Sequence, residues 1–193
     1  MITIAEHTID ETLLPAQGAY ILDAGCSTRE FSKWFSPLHK PFGIDIRWLD
    51  SSHQYAITGH IGRVGVVYSK DLQATKIGSG DSIHAVTIEE FSRLVSVEFW
   101  DVIKLDIEGS EIDAICAMTK PMAKQITVEF HLHCGQTMED VQKAVDHLHS
   151  LGYRTHQHEL SDRHCAGFNY WDSLFYLEGS YIEMKTEFKD LNK

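Results

Sequence analysis

No stretch of this 193-residue chain approaches the ~20 consecutive apolar residues that a membrane-spanning helix needs. The amino-terminal segment MITIAEHTIDETLL has no basic start followed by an apolar block, so no secretory signal is expected there. Basic runs are also missing. With 17 Lys and Arg against 28 Asp and Glu, the formal charge is −11, a field that repels polyphosphate and disfavours nucleic acid as a partner. The four cysteines, Cys26, Cys116, Cys134 and Cys165, are widely spaced in apolar or strand-edge contexts and read as reduced thiols, not a disulfide frame. There is no internal repeat, linker or low-complexity block. These absences point to one cytoplasmic domain whose partner is a small molecule or is carbohydrate-, lipid- or peptide-like, with no nucleic acid and no membrane; oligomeric state is not legible.

What is present alternates. AYILD (19–23) and FGID (42–45) read as short buried strands, each ending in Asp. HQYAIT (53–58), RVGVVYS (63–69), QITVEFHLH (125–133), YRTHQHE (153–159) and SLFYLEG (173–179) are further strand candidates, and KIGSGDS (76–82) is a loop by composition. REFSKWFSPL (29–38) places Phe31, Trp34, Phe35 and Leu38 at helical spacing. TIEEFSRLV (87–95) and TMEDVQKAVDHLHSLG (137–152) begin with capping threonines, and SEIDAICAM (110–118) is a third helix candidate after the first. Strands alternating with helices imply an α/β sandwich on a mostly parallel sheet, whose ligands bind beyond the carboxyl ends of the strands.

The segment Trp100–Glu111, WDVIKLDIEGSE, sets four carboxylates and a lysine in and just past an apolar run. Buried charge must be paired, wet or employed. Asp23, Asp45 and Asp106 each end a strand, and Glu129 and His131 lie on a fourth, so these groups are expected to face one cleft. Strand alternation puts Lys104 on the face of Asp106. Gly25 lies in a strand-to-helix turn, where a ligand can approach backbone amides. Asp45 lies about 20 residues further on, where a carboxylate can accept both hydroxyls of a ribose.

ILDAGCSTREFS, GIDI, VTIEEF, DVIKLDIEGSEIDAI and ITVEFH resemble, in order, the motifs of the FkbM family of S-adenosylmethionine-dependent methyltransferases. The likeness runs from about residue 19 to about residue 178. Its most specific element, Lys104 to Glu111, is similar to the family's K-I-D-V-E-G-x-E block. At the cofactor turn the family usually reads D-x-G-A-N-x-G, and here Cys26, Ser27 and Arg29 replace its Ala, Asn and second Gly. The resemblance implies a single-domain, Rossmann-like class I methyltransferase sandwich over residues 19–179. Its sheet would have seven mostly parallel strands and an antiparallel last strand, flanked by an N-terminal extension (1–18) and a charged tail (180–193). It implies S-adenosylmethionine as cofactor and O-methylation of a small-molecule or sugar hydroxyl. Asp23, Gly25, Cys26, Ser27 and Arg29 would shape the methionine and nucleoside site, Asp45 and Ile46 the ribose end, and Thr58 and Gly59 the adenine side. Asp106, Glu108 and His131 would face the acceptor. A guanidinium at Arg29 can pair with the cofactor carboxylate.

The twelve histidines invite a metal reading at HLHC (131–134), HQH (156–158) and HC (164–165). None matches a zinc-finger spacing, although Glu129, His131 and His133 share a strand face where two-His-one-carboxylate ligation is geometrically possible; no metal is assigned. Trp48 is a candidate neighbour of the adenine, and Phe168, Tyr170 and Trp171 a candidate lid. Two other readings stay open: a non-catalytic binding protein on the same fold, and a metal-dependent hydrolase using Glu129 and His131.

Overall fold

The computed structural model describes residues 1–47, 53–67, 76–160 and 170–178. Its centre is a mixed seven-stranded sheet built from β3 (Tyr20–Ala24), β4 (Lys40–Asp45), β5 (His53–Gln54), β10 (Trp100–Leu105), β11 (Ala123–His131), β12 (Tyr153–Leu160) and β13 (Tyr170–Leu177). The spatial order is β12-β13-β11-β10-β3-β4-β5. β11, β10, β3, β4 and β5 are mutually parallel, and β13 runs antiparallel to both of its neighbours. The chain order reverses between β3 and β10, so their carboxyl ends open a crevice at the switch point.

Alternation along the central strands divides the core in two. Leu22, Ile103 and Leu105 point to the larger side, shared with α2 (Ile88–Leu94), α3 (Glu111–Cys116) and α4 (Met138–Ser150). Ile21 and Val102 point to the other side and meet Phe31 and Phe35 of α1 (Glu30–Phe35). Each fully buried side chain of this size contributes ~1.5–3 kcal/mol. The local signals for α4 work as read: Thr137 and Asp140 form a reciprocal capping box, and Val141, Val145 and Leu148 form the buried stripe. On α1 the expected stripe is half right. Trp34 is 50% exposed and Leu38 60%, because the helix ends at Phe35 and a six-residue helix buries only the side facing the sheet.

The first eighteen residues do more than extend the chain. β1 (Ile2–Ile4) and β2 (His7–Ile9) pair as a hairpin, and Ile4 and Ile9 join the Phe31–Phe35 cluster. Between β4 and α2 the chain forms a second, four-stranded sheet, ordered β6-β9-β7-β8, from β6 (Ala56–Ile57), β7 (Gly62–Val67), β8 (Lys76–Ile77) and β9 (Asp81–Val86). Two expectations change here. HQYAIT is not one strand, because the chain leaves the main sheet after Gln54 and joins the small one at Ala56. KIGSGDS is not a plain loop either: it carries β8 and opens β9. Its glycines serve close packing, since a Cβ on Gly80 would stand 1.8 Å from the Val66 carbonyl oxygen. Composition marked this stretch as a turn, whereas the tertiary need is two backbones in contact.

Tyr170 and Trp171 lie inside β13, paired with His131 and Phe130, and do not precede the last strand. Trp48, Phe168, His164 and Cys165 lie outside the described residues. Cys26, Cys116 and Cys134 are free thiols. Among the described residues no helix is long and apolar enough to cross a membrane.

Candidate active site

A cleft of about 430 Å³ lies over the carboxyl ends of β3, β4, β10 and β11. That volume falls in the range of small-molecule sites. Its lining includes Gly25, Cys26, Ser27, Asp45, Ile46, Asp106, Glu108 and His131, so eight of the twelve residues singled out from sequence meet here. Asp23, Arg29, Thr58 and Gly59 do not line it.

Gly25 is required by geometry. Its φ is +75°, and a Cβ there would stand 1.7 Å from the Asp106 carbonyl oxygen. The turn after β3 is thereby pressed against the end of β10. Beside it, Asp45 Oδ2 accepts the Ser27 N–H at 2.9 Å and Oδ1 accepts the Arg47 N–H at 2.7 Å. Arg47 also donates to Ser27 Oγ at 2.9 Å. A carboxylate oxygen has two lone pairs, so Oδ2 keeps capacity for a ligand hydroxyl. Cys26 is buried, and that burial, followed by the charge of Asp23, pushes its thiol up to about 12. Burial thus keeps it in the protonated thiol form at neutral pH.

Asp23 lies one layer below the cleft. Its Oδ2 accepts from the Ser32 N–H at 3.1 Å and the Ser32 hydroxyl at 2.5 Å. Lys104 spans the layer, with Nζ 3.2 Å from Asp23 Oδ1, 3.2 Å from Asp106 Oδ2 and 2.8 Å from the Gly25 carbonyl. Burial opposes its charge, but Asp106 and then Asp23 outweigh it and raise the lysine pKa. Reciprocally, burial of Asp106 is outweighed by Lys104, so its carboxyl is held well below the usual range. Lys104 was expected on the face of Asp106 and pairs with it there; what the sequence did not suggest is that it ties Asp106 to Asp23 as well.

At the far end, β11 delivers Glu129 and His131. His131 is 1% exposed. Its Nδ1 lies 2.8 Å from Glu111 Oε1, and a carboxylate only accepts, so Nδ1 carries the proton. Nε2 faces Asp106 Oδ1 at 3.4 Å, Glu129 Oε1 at 3.6 Å and Glu108 Oε2 at 3.7 Å. Burial lowers the imidazole's pKa, yet Glu111 and the other carboxylates prevail and push it up to about 10. Burial and like-charged neighbours push Glu108 up to about 7 against the pull of His131. Glu108 (φ +52°) and Gly109 (φ +99°) are both left-handed.

Glu111 carries more than the helix-start role its position suggested. It is fully buried, accepts the Ile107 and Gly109 N–H groups and the Gln136 amide, and locks the 106–110 loop to His131. The signal missed was its spacing: Glu111 follows Gly109 in a tight loop, where a carboxylate can turn back onto free amides. His133 leaves the strand face shared by Glu129 and His131, because β11 ends at His131 and residues 132–134 turn as a 3-10 helix.

Three placements differ from the sequence reading. Arg29 adopts a left-handed conformation, φ 62° and ψ 28°, at the start of α1. Its Nε lies over β4, 3.5 Å from where a Cβ on Gly43 would be, so it does not project into the cleft. Thr58 is buried with its hydroxyl donating to the His60 carbonyl, and Gly59 packs against Asp113 of α3. The wall expected there is formed just upstream by Tyr55, Ala56 and Ile57, together with Ile46 and Ile77. Ala5 and Glu6, from the hairpin turn, close another side; the ITI–HTI alternation around them was the available signal.

No family model matches this chain, and no curated protein matches it. Among solved structures, a protein described as a hemolysin from Lactococcus lactis aligns at 12% identity with a TM-score of 0.50, over 88% of this chain and 83% of that one. The E. cuniculi Mtq2–Trm112 complex, described as methylating the translation termination factor eRF1, aligns at 13% identity and a TM-score of 0.44, over 83% and 85%. A Burkholderia thailandensis 1,6-didemethyltoxoflavin N1-methyltransferase with bound S-adenosylhomocysteine aligns at 11% and 0.42, over 87% and 79%. At such identity the Lactococcus likeness speaks for the fold alone, and the two lower scores carry no argument about function.

Proposed function

We propose that this chain is an S-adenosylmethionine-dependent methyltransferase with the class I, Rossmann-like arrangement, acting on an oxygen of a small molecule or sugar. The observation that carries the reading is the convergence of Asp45 and Asp106 on one cleft of about 430 Å³ at the switch point of the sheet. The motif resemblance to the FkbM family, strongest at Lys104–Glu111, supports the same assignment. Asp45 would hold the ribose through Oδ2. Ile46, Tyr55, Ala56 and Ile57 give an apolar wall suited to a purine face. The carboxylates of Asp106, Glu108 and Glu129 make the other end favourable to a cationic ligand.

When bound, the cofactor supplies an electrophilic methyl group on a sulfonium. The protein's share is to position the acceptor and take its proton. Asp106, Glu108 and His131 line the end where an acceptor hydroxyl would be held, and Glu111 and Lys104 fix two of those three in place. Thermal shift and calorimetry with S-adenosylmethionine and S-adenosylhomocysteine test the reading. Ligand at 100 times its Kd should stabilise the fold by ~2.7 kcal/mol, and Asp45→Ala should abolish the shift. Absence of any shift or heat with both ligands at millimolar concentration refutes it.

A further inference from the structure

We infer that Asp106, Glu129 and His131 form a divalent-cation site in the cleft floor, of the class that takes Mn²⁺, Fe²⁺ or Zn²⁺. One donor atom from each of the three lies within 4.8 Å of the others. The separations from His131 Nε2, 3.4 Å to Asp106 Oδ1 and 3.6 Å to Glu129 Oε1, are those of ligands around a shared ion. Two donors bound tetrahedrally at ~2.1 Å stand about 3.4 Å apart. Two carboxylate oxygens with one imidazole suit borderline divalent ions better than soft ones.

The surroundings are those of a ligated histidine. Glu111 Oε1 accepts a hydrogen bond from Nδ1 at 2.8 Å, which aims Nε2 at the carboxylates, where an ion would take the place of its proton. This carboxylate–histidine arrangement orients metal-bound imidazoles generally. Lys104 grips Asp106 by Oδ2 at 3.2 Å and leaves Oδ1 for the cluster. A separate observation comes from the hairpin. His7, 3% exposed, has its Nδ1 3.3 Å from Thr127 Oγ1. Its Nε2 has no hydrogen bond among the described residues and is directed at Asp106 Oδ2 from 3.6 Å. Two buried imidazoles thus flank one carboxylate, His7 at Oδ2 and His131 at Oδ1. An ion here would stand at the acceptor end of the cleft, where it would polarise a hydroxyl.

The inference needs these side chains alone and not methyl transfer, so it is tested without cofactor. Chelator-treated protein is titrated with MnCl₂, following free Mn²⁺ by electron paramagnetic resonance, and with ZnCl₂ by calorimetry. One saturable ion per chain is expected. Glu129→Gln and His131→Gln should each weaken it at least tenfold, and Glu111→Gln, a positioning change, by about 10–100-fold. His133→Gln, outside the trio, should leave it unchanged. Circular dichroism establishes that each variant is folded. Failure of the wild-type protein to bind either ion saturably overturns the site whatever the variants do, as does binding that persists in folded Glu129→Gln and is lost in His133→Gln.

Discussion

The turn after β3 offers a sharp energetic test. Arg29 stands where the resembling motifs carry glycine, and its φ of 62° and ψ of 28° lie in the left-handed region. For an L-residue that conformation costs ~1–2 kcal/mol. Glycine removes the cost but adds ~0.5–1 kcal/mol of unfolded-chain entropy. Loss of the guanidinium and its stem would confuse a comparison of Arg29→Gly with the wild type, since the Nε is buried beside β4. Arg29→Ala loses the same groups and keeps the strained Cβ. The two variants therefore differ by backbone terms, and the glycine form should be more stable by about 0.8 kcal/mol, the centre of a difference of ~0–1.5 kcal/mol. For a chain of this size that is about 1–4 °C in Tm, within reach of differential scanning calorimetry. Equal melting temperatures, or a more stable alanine variant, would refute the strain account.

Lys104→Met strands Asp23 and Asp106 without their shared ammonium. Removing one partner of a buried ion pair costs ~3–5 kcal/mol, so the melting temperature should fall by roughly 10 °C, and adding Asp23→Asn should recover part of it; a loss under 1 °C would mean the carboxylates are otherwise compensated. In α4, hydrogen bonds from Thr137 and Lys143 depress the Asp140 pKa from 3.8 to about 2. Its contribution is full above pH 4 and fades as pH falls toward 2, so the gap in melting temperature between wild type and Asp140→Ala should narrow below pH 4. A gap constant from pH 7 to pH 3 contradicts that linkage.

Local chemistry along the chain was enough to place the strand ends at Asp23, Asp45 and Asp106, the Thr137 cap and stripe of α4, and the glycine at position 25. Each rests on periodicity, capping or a close approach encoded within a few residues. Tertiary structure decided the rest. Lys104 bonds a carbonyl 79 positions away at Gly25, and His7 meets Thr127 across 120, contacts that exist only because the sheet order sets β3 beside β10 and lays the hairpin over them. His131 stands out in sequence as a polar group at a strand end and Glu111 as the last carboxylate of a charged segment, but nothing local says that the two meet. Parallel pairing of β10 with β11 brings them to 2.8 Å. Local sequence determines which backbone shape is cheap, whereas the pairing of buried charges is set by which distant elements share a face.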